Sequence, residues 1–158
     1  MPKLSDAATE FLAQPRVAVT GVSRNAGGHG SNAVYKRLRD RGYQVFAVNP
    51  NADRVEGDPA YRDLHSIPGG VDWVVIGTRP ERADGTVREC ADLGIRRVWM
   101  HRGMGSGSVS PTAVEFGRQH GITVIDGACP CMFGPASDGG HRLICLMLRL
   151  TRGLPRSV

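Results

Sequence analysis

Short apolar, β-branched runs that break into glycine- or proline-marked polar turns constrain this chain more than any other feature. Val17-Ala18-Val19-Thr20 gives way to Gly21-Val22-Ser23-Arg24, and Val45-Phe46-Ala47-Val48 gives way to Asn49-Pro50. Strands that are apolar on both faces are buried between two helical layers, as in parallel sheets. In that architecture the turn after each strand lies at the carboxyl edge, where ligands bind. Further runs of this kind lie at residues 73–76, 97–100 and 122–125.

Helical patterns separate most of these runs. Ala33, Val34 and Leu38 mark one, closed by Gly42. Ala83, Val87, Cys90 and Ala91 mark the next, which opens at Pro80 and ends at Gly94. A third opens at Ser110-Pro111, a cap followed by a first-turn proline, and ends at Gly121. Strands alternating with helices predict an α/β fold: a doubly wound, Rossmann-like parallel sheet in three layers with right-handed crossovers. Residues 50–72 hold no long helical pattern. Ala60-Tyr61 reads as part of a small edge strand, after which the chain crosses to the far side of the first strand. The predicted order is therefore 3-2-1-4-5-6, with a crevice at the switch point.

Two flanking segments complete the expectation. Leu4, Ala7, Ala8, Phe11 and Leu12 follow the spacing of an amphipathic amino-terminal helix, not of a secretory signal. Near the other end, Leu143, Ile144, Leu146, Met147, Leu148 and Leu150 are apolar around most of a helix. Such a helix needs cover on more than one side, either from its own domain or from a second copy in a homodimer. The 158 residues read as one domain, with a core at about 15–131 and a helical tail at about 139–152.

Composition narrows the partners. A formal charge of +5 attracts polyanions in general, yet the arginines are scattered and aromatics make up only 6%. With no stacking motif or basic recognition helix, nucleic acid is not the expected partner. No apolar run is long enough to cross a membrane. Four cysteines do not suggest a disulfide framework, so a reducing cytoplasm is expected.

Gly28-His29-Gly30-Ser31-Asn32-Ala33 matches the G-x-G-x-x-A pattern of nicotinamide-nucleotide sites. In that fingerprint, however, the first glycine sits directly after the first strand, whereas here several residues intervene. The second strand also ends in Asn49-Pro50-Asn51, without the acid that holds an adenosine ribose; Asp53 follows too late. What remains is an anion site. Backbone amides after Gly21, the Ser23 hydroxyl and Arg24 can converge on a phosphate, and a helix starting near Gly30 points its free amides the same way.

The sequence from Val17 to Cys129 resembles the CoA-binding domain family, small Rossmann-like modules that also form the amino end of the succinyl-CoA synthetase alpha subunit. The resemblance lies in Val19-Thr20-Gly21-Val22-Ser23-Arg24, in Gly42-Tyr43-Gln44-Val45 leading to Val48-Asn49-Pro50, and in Gly57, Tyr61 and Leu64. It continues through Val71-Asp72-Trp73-Val74-Val75-Ile76, Arg79-Pro80-Glu81, Leu93-Gly94-Ile95, Val98-Trp99, Gly121-Ile122-Thr123-Val124-Ile125 and Cys129-Pro130. It implies that coenzyme A, or an acyl-CoA, lies across the carboxyl ends of the central strands. Gly21, Val22, Ser23 and Arg24, with Gly30 at the helix start, would line the phosphate and adenosine side. Asn49, Pro50 and Asn51 would border the nucleotide, and Thr78, Arg79 and Pro80 would form the opposite wall. A pyrophosphate and a 3′-phosphate suit arginines and backbone donors better than a carboxylate. The chain departs from the family in Trp99-Met100-His101 and in having Ala128 before Cys129.

Candidates for chemistry are few. His101 sits at a strand's carboxyl end, but no carboxylate or nucleophile partner is recognisable nearby in sequence. Cys129 and Cys131, at C-x-C spacing, lack the second ligand pair of a zinc site. A mixed disulfide between Cys129 and the thiol of CoA is the alternative. Cys90 and Cys145 fall on apolar faces and read as core. Two functional readings follow: a CoA or acyl-CoA binding module without activity of its own, or an NAD(P)-linked oxidoreductase. In a third, structural reading the tail helix mediates assembly.

Overall fold

The computed structural model describes residues 3–25, 30–102 and 107–134. Successive residues of the strand Arg16–Thr20 (β1) enter two different cores: Val17 and Val19 on one face, Ala18 on the other. The same alternation runs through Trp73–Ile76 (β5), where Trp73 and Val75 face one core and Val74 and Ile76 the other. Both strands must therefore be apolar throughout, the condition that only a sheet covered on both faces imposes.

Five further strands complete the sheet: Gln44–Val48 (β2), Arg54–Val55 (β3), Asp58–Tyr61 (β4), Arg97–Met100 (β6) and Thr123–Asp126 (β7). Their order is β3-β4-β2-β1-β5-β6-β7. Apart from β3, this is the predicted doubly wound order, with β4 as the edge strand parallel to β2. The unpredicted β3 turns back on β4 as a two-residue hairpin. Glu56 and Gly57 at its tip have φ of 49° and 83°, as a type I′ turn requires. A glutamate at the first of these positions hides the signal that Asn-Gly or Asp-Gly would have given.

Helices Leu4–Leu12 (α1) and Gly30–Asp40 (α2) cover one face; Pro80–Asp92 (α3) and Pro111–Gln119 (α4) cover the other. The α1 stripe is the predicted one. Its Phe11 packs edge-on to Trp73 and Trp99, each at 6.0 Å between centroids. Both indoles find acceptors for their N–H groups, Trp73 at the Gln14 carbonyl and Trp99 at that of Gly127. Ser110 caps α4 as predicted, accepting from the Ala113 amide.

The α2 stripe differs from expectation. Ala33 is exposed, and the buried face consists of Ser31, Asn32, Val34, Tyr35 and Leu38. Two polar side chains set the helix's rotation because they bind the backbone of the turns that follow β5 and β1, a role that counting apolar residues misses. Tyr35 and Arg39 then meet Asp58 of β4 at 2.7 and 2.6 Å. Those two bonds hold the Asp58 carboxyl below its ordinary range, Arg39 contributing most. Burial pushes the Tyr35 phenol up.

The apolar tail at 139–152 with its Cys145, the Gly28-His29 half of the glycine match, and Gly103 lie outside the described residues. Among the described residues, no helix is long and apolar enough to cross a membrane.

Candidate functional site

Strand register brings four carboxyl ends level. Thr20 of β1 pairs with Val48 of β2, Val48 with Tyr61 of β4, and Val19 with Val75 of β5. The residues that follow these strands therefore share one rim, and a cavity of about 460 Å³ opens there, bounded on its far side by α3.

Close backbone approach shapes the near side of the rim. Gly21 has φ of 75°, and a methyl group there would lie 2.6 Å from the carbonyl carbon of Gly77. At Gly77, a methyl group would meet Ser31 Oγ at 1.9 Å and the Thr20 carbonyl oxygen at 2.7 Å. The glycines let the turns after β1 and β5 touch, and hydroxyls tie them together. The Gly77 amide donates to Thr20 Oγ1, and Ser31 Oγ donates to the Gly77 carbonyl.

Asn32, 1% exposed in the first turn of α2, holds the loop after β1. Its Oδ1 accepts from the Ser23 amide and its Nδ2 donates to the Ser23 carbonyl, both at 2.8 Å. The same Nδ2 donates to Glu56 in the hairpin turn at 2.7 Å, so one side chain joins the loop, α2 and β3. Asn49 does similar work after β2. Its Nδ2 donates to the Val22 carbonyl, while its Oδ1 accepts from the Asn51 amide in a local turn.

Of the predicted ligand residues, Gly21, Val22, Ser23, Asn49, Pro50, Asn51 and Thr78 line this cavity. Arg24, Gly30, Arg79 and Pro80 do not. Arg24 projects into solvent from the loop, Gly30 opens α2, and Arg79-Pro80 begins α3 with Arg79 exposed as its N-cap. Two amides of the loop after β1 are engaged within the protein. The Ser23 amide is held by Asn32, and the Asn25 amide by Ser23 Oγ.

Among the described residues, the cations at the cavity are instead Arg62, directly after β4, and Arg82, in the first turn of α3. Both have signals in the sequence. Arg62 occupies the same position after its strand as Gly21 and Asn49 do after theirs. Arg82, Gly85, Thr86 and Glu89 recur at helical spacing beside the apolar stripe Ala83, Val87 and Cys90, and those four residues form the α3 wall.

The carboxylates at the cavity are already engaged. Glu89 accepts from the amides of Leu64 and His65 and from His65 Nδ1, the last at 2.7 Å. Asp63 accepts from the Ser66 hydroxyl and amide, which hold its carboxyl below the usual range. By contrast, the guanidinium groups of Arg62 and Arg82 make no hydrogen bond or ion pair among the described residues, and the buried Thr78 hydroxyl has no partner there either. The unsatisfied groups of the cavity are therefore mainly donors and positive.

Other candidates fall away from this space. Cys129 and Cys131 are buried in the core shared by α1 and α2, at 3% and 1% exposure, and do not line the cavity. His101 packs beside the start of α2, its Cε1 3.3 Å from where a Gly30 methyl group would stand. Cys90 is buried as predicted, and desolvation pushes its thiol up.

The chain matches the family described as the CoA binding domain over residues 15–135. It is a member of the CoA-binding domain family. It is 31% identical over 114 residues to the protein YneT of Bacillus subtilis, an alignment covering 72% of this chain and 81% of that one. Over 131 residues it is 29% identical to the ADP-forming acetate–CoA ligase II of Archaeoglobus fulgidus, covering 78% of this chain. The match spans only 18% of the ligase's length. A solved protein from Pyrococcus horikoshii OT3 shares the fold, with a TM-score of 0.73 at 21% identity over 82% of this chain and 92% of that one. The domain thus occurs both near its own size and as a small part of a much longer ligase.

Proposed function

We propose that this chain binds coenzyme A or an acyl-CoA in the cavity at the carboxyl ends of β1, β2, β4 and β5, as a binding module rather than a catalyst. Family membership supports this reading, and one observation carries it: among the described residues the Arg62 and Arg82 guanidinium groups at the cavity have no hydrogen-bond or ion-pair partner, while its carboxylates hold the loop after β4. Such a site receives a ligand with several phosphates. Gly21, Val22 and Ser23 would border the phosphates, Asn49, Pro50 and Asn51 the nucleotide, and Thr78 the opposite wall. Arg24, Gly30, Arg79 and Pro80 would approach from outside the cavity.

The same rim disfavours the nicotinamide-nucleotide alternative. An NAD site places a carboxylate after the second strand to accept from the ribose hydroxyls. Asn49 stands there, with its amide donating to Val22 and its carbonyl accepting from Asn51. Isothermal titration with CoA, acetyl-CoA, NAD and NADP separates the two readings. CoA is expected to bind, with an affinity that falls as salt rises; a preference for NAD or NADP would reject the proposal.

A further inference from the structure

The geometry points to Arg62 and Arg82 as a two-guanidinium site for a phosphate monoester, which makes this chain discriminate CoA from its 3′-dephospho form. The inference rests on the CoA reading above and assigns a specificity to one part of that cavity.

Three observations converge on the pair. First, the two residues come from different elements, the turn after β4 and the first turn of α3, yet they line one cavity. Second, the hydrogen bonds of the nearby carboxylates go to partners other than the two guanidinium groups. Glu89 holds Leu64 and His65, and Asp63 holds Ser66. Both acids position the loop that carries Arg62. Third, two amides of the loop after β1, those of Ser23 and Asn25, are occupied within the protein and are not open to a phosphate.

CoA carries two separate anionic centres, a pyrophosphate and a 3′-phosphate. The lining of the cavity likewise comes from separate elements: Gly21–Ser23 follow β1, whereas Arg62 follows β4 and Arg82 lies on α3. A terminal phosphate has three oxygens free to accept, and guanidinium forks match that geometry better than single amides do. The exposed ends of both side chains let the phosphate arrive from solvent.

The test uses the full chain with CoA and dephospho-CoA, which share adenine, pyrophosphate and pantetheine and differ only in the 3′-phosphate. By isothermal titration, the unmodified protein should prefer CoA by roughly 10-fold or more. Arg62→Ala and Arg82→Ala should each remove most of that preference and leave the affinity for dephospho-CoA within about twofold of its starting value. Arg82→Lys should restore part of it, since charge returns without the planar fork. Both arginines are exposed, and circular dichroism melts confirm that the variants fold. Equal binding of the two ligands by the unmodified chain overturns the assignment while leaving CoA binding intact. Parallel weakening of both ligands in the variants also overturns it. If neither ligand binds, the parent reading fails and this one with it.

Discussion

At the junction of β1 and β5, the backbones approach so closely that a single methyl group at either Gly21 or Gly77 would overlap main-chain atoms. Across the cavity on α3, a methyl group at Gly85 would meet nothing within 4 Å. Both walls belong to one site, but different physics sets them. The β1–β5 side is a fitted joint in which glycines, Thr20, Ser31 and Asn32 satisfy one another, leaving little to change and few groups to offer a ligand. The α3 side is an ordinary amphipathic helix. Its apolar face is fixed by the core, and its other face is free to carry side chains for a ligand. Fold and chemistry are thus divided between the walls, and substitutions on the two sides should behave oppositely.

The largest effect is expected at the joint. Gly77→Ala places a methyl group 1.9 Å from Ser31 Oγ and 2.7 Å from the Thr20 carbonyl oxygen. The serine can rotate away, but the carbonyl belongs to a central strand and cannot. Overpacking against backbone should lower the unfolding free energy by about 3 kcal/mol in urea melts. Adding Ser31→Ala should recover only part of the loss, because the contact with Thr20 remains. A Gly77→Ala protein as stable as its parent would show that the joint is looser than described.

Asn32 probes the same wall through hydrogen bonds alone. Removing its amide leaves the Ser23 N–H and carbonyl without their partner and frees Glu56 from its contact. For a buried group of this kind, Asn32→Ala should cost about 2 kcal/mol. Asn32→Asp keeps an acceptor for the Ser23 amide but sets a second carboxylate against Glu56, so at neutral pH it should be no better than alanine. If aspartate instead matched the parent in a denaturant melt, the loop would depend on the acceptor only, and the bond to the hairpin would be dispensable.

These two walls also differ in how legible they are in the sequence. The parallel sheet, its order, the α1 stripe and the Ser110 cap all rest on apolar periodicity and turn residues, which report local burial directly. The strand ends follow from the same pattern, which puts Gly21 at the rim; Asn49 and Thr78 come to it through the family resemblance. Asn32 was not legible, because a buried asparagine looks like a surface residue until its backbone partners are known. Arg24 and Arg79 were favoured for lying next to strands in sequence, yet adjacency does not fix where a long side chain ends. Arg62 and Arg82 reach the cavity through register and helical phase, and both could have been traced from the pattern. The β3 hairpin was hidden by a glutamate with positive φ, a residue type rarely chosen there.

The smallest effect should have the opposite sign. Gly85 lies within α3, its φ is not in the left-handed region, and a methyl group there meets no neighbour. Glycine inside a helix is destabilising because the unfolded chain has more freedom to lose, so Gly85→Ala should stabilise the fold by about 0.5–1 kcal/mol. The added methyl group would project toward the cavity that Gly85 lines. Thermal melts and CoA titration of this one variant therefore read two properties separately. A more stable protein with unchanged affinity would mean the ligand keeps clear of this part of the wall. A more stable protein that binds CoA less well would place the ligand against α3 between Arg82 and Glu89. Loss of stability would contradict the open space at this position and, with it, the contrast between a fitted wall and a permissive one.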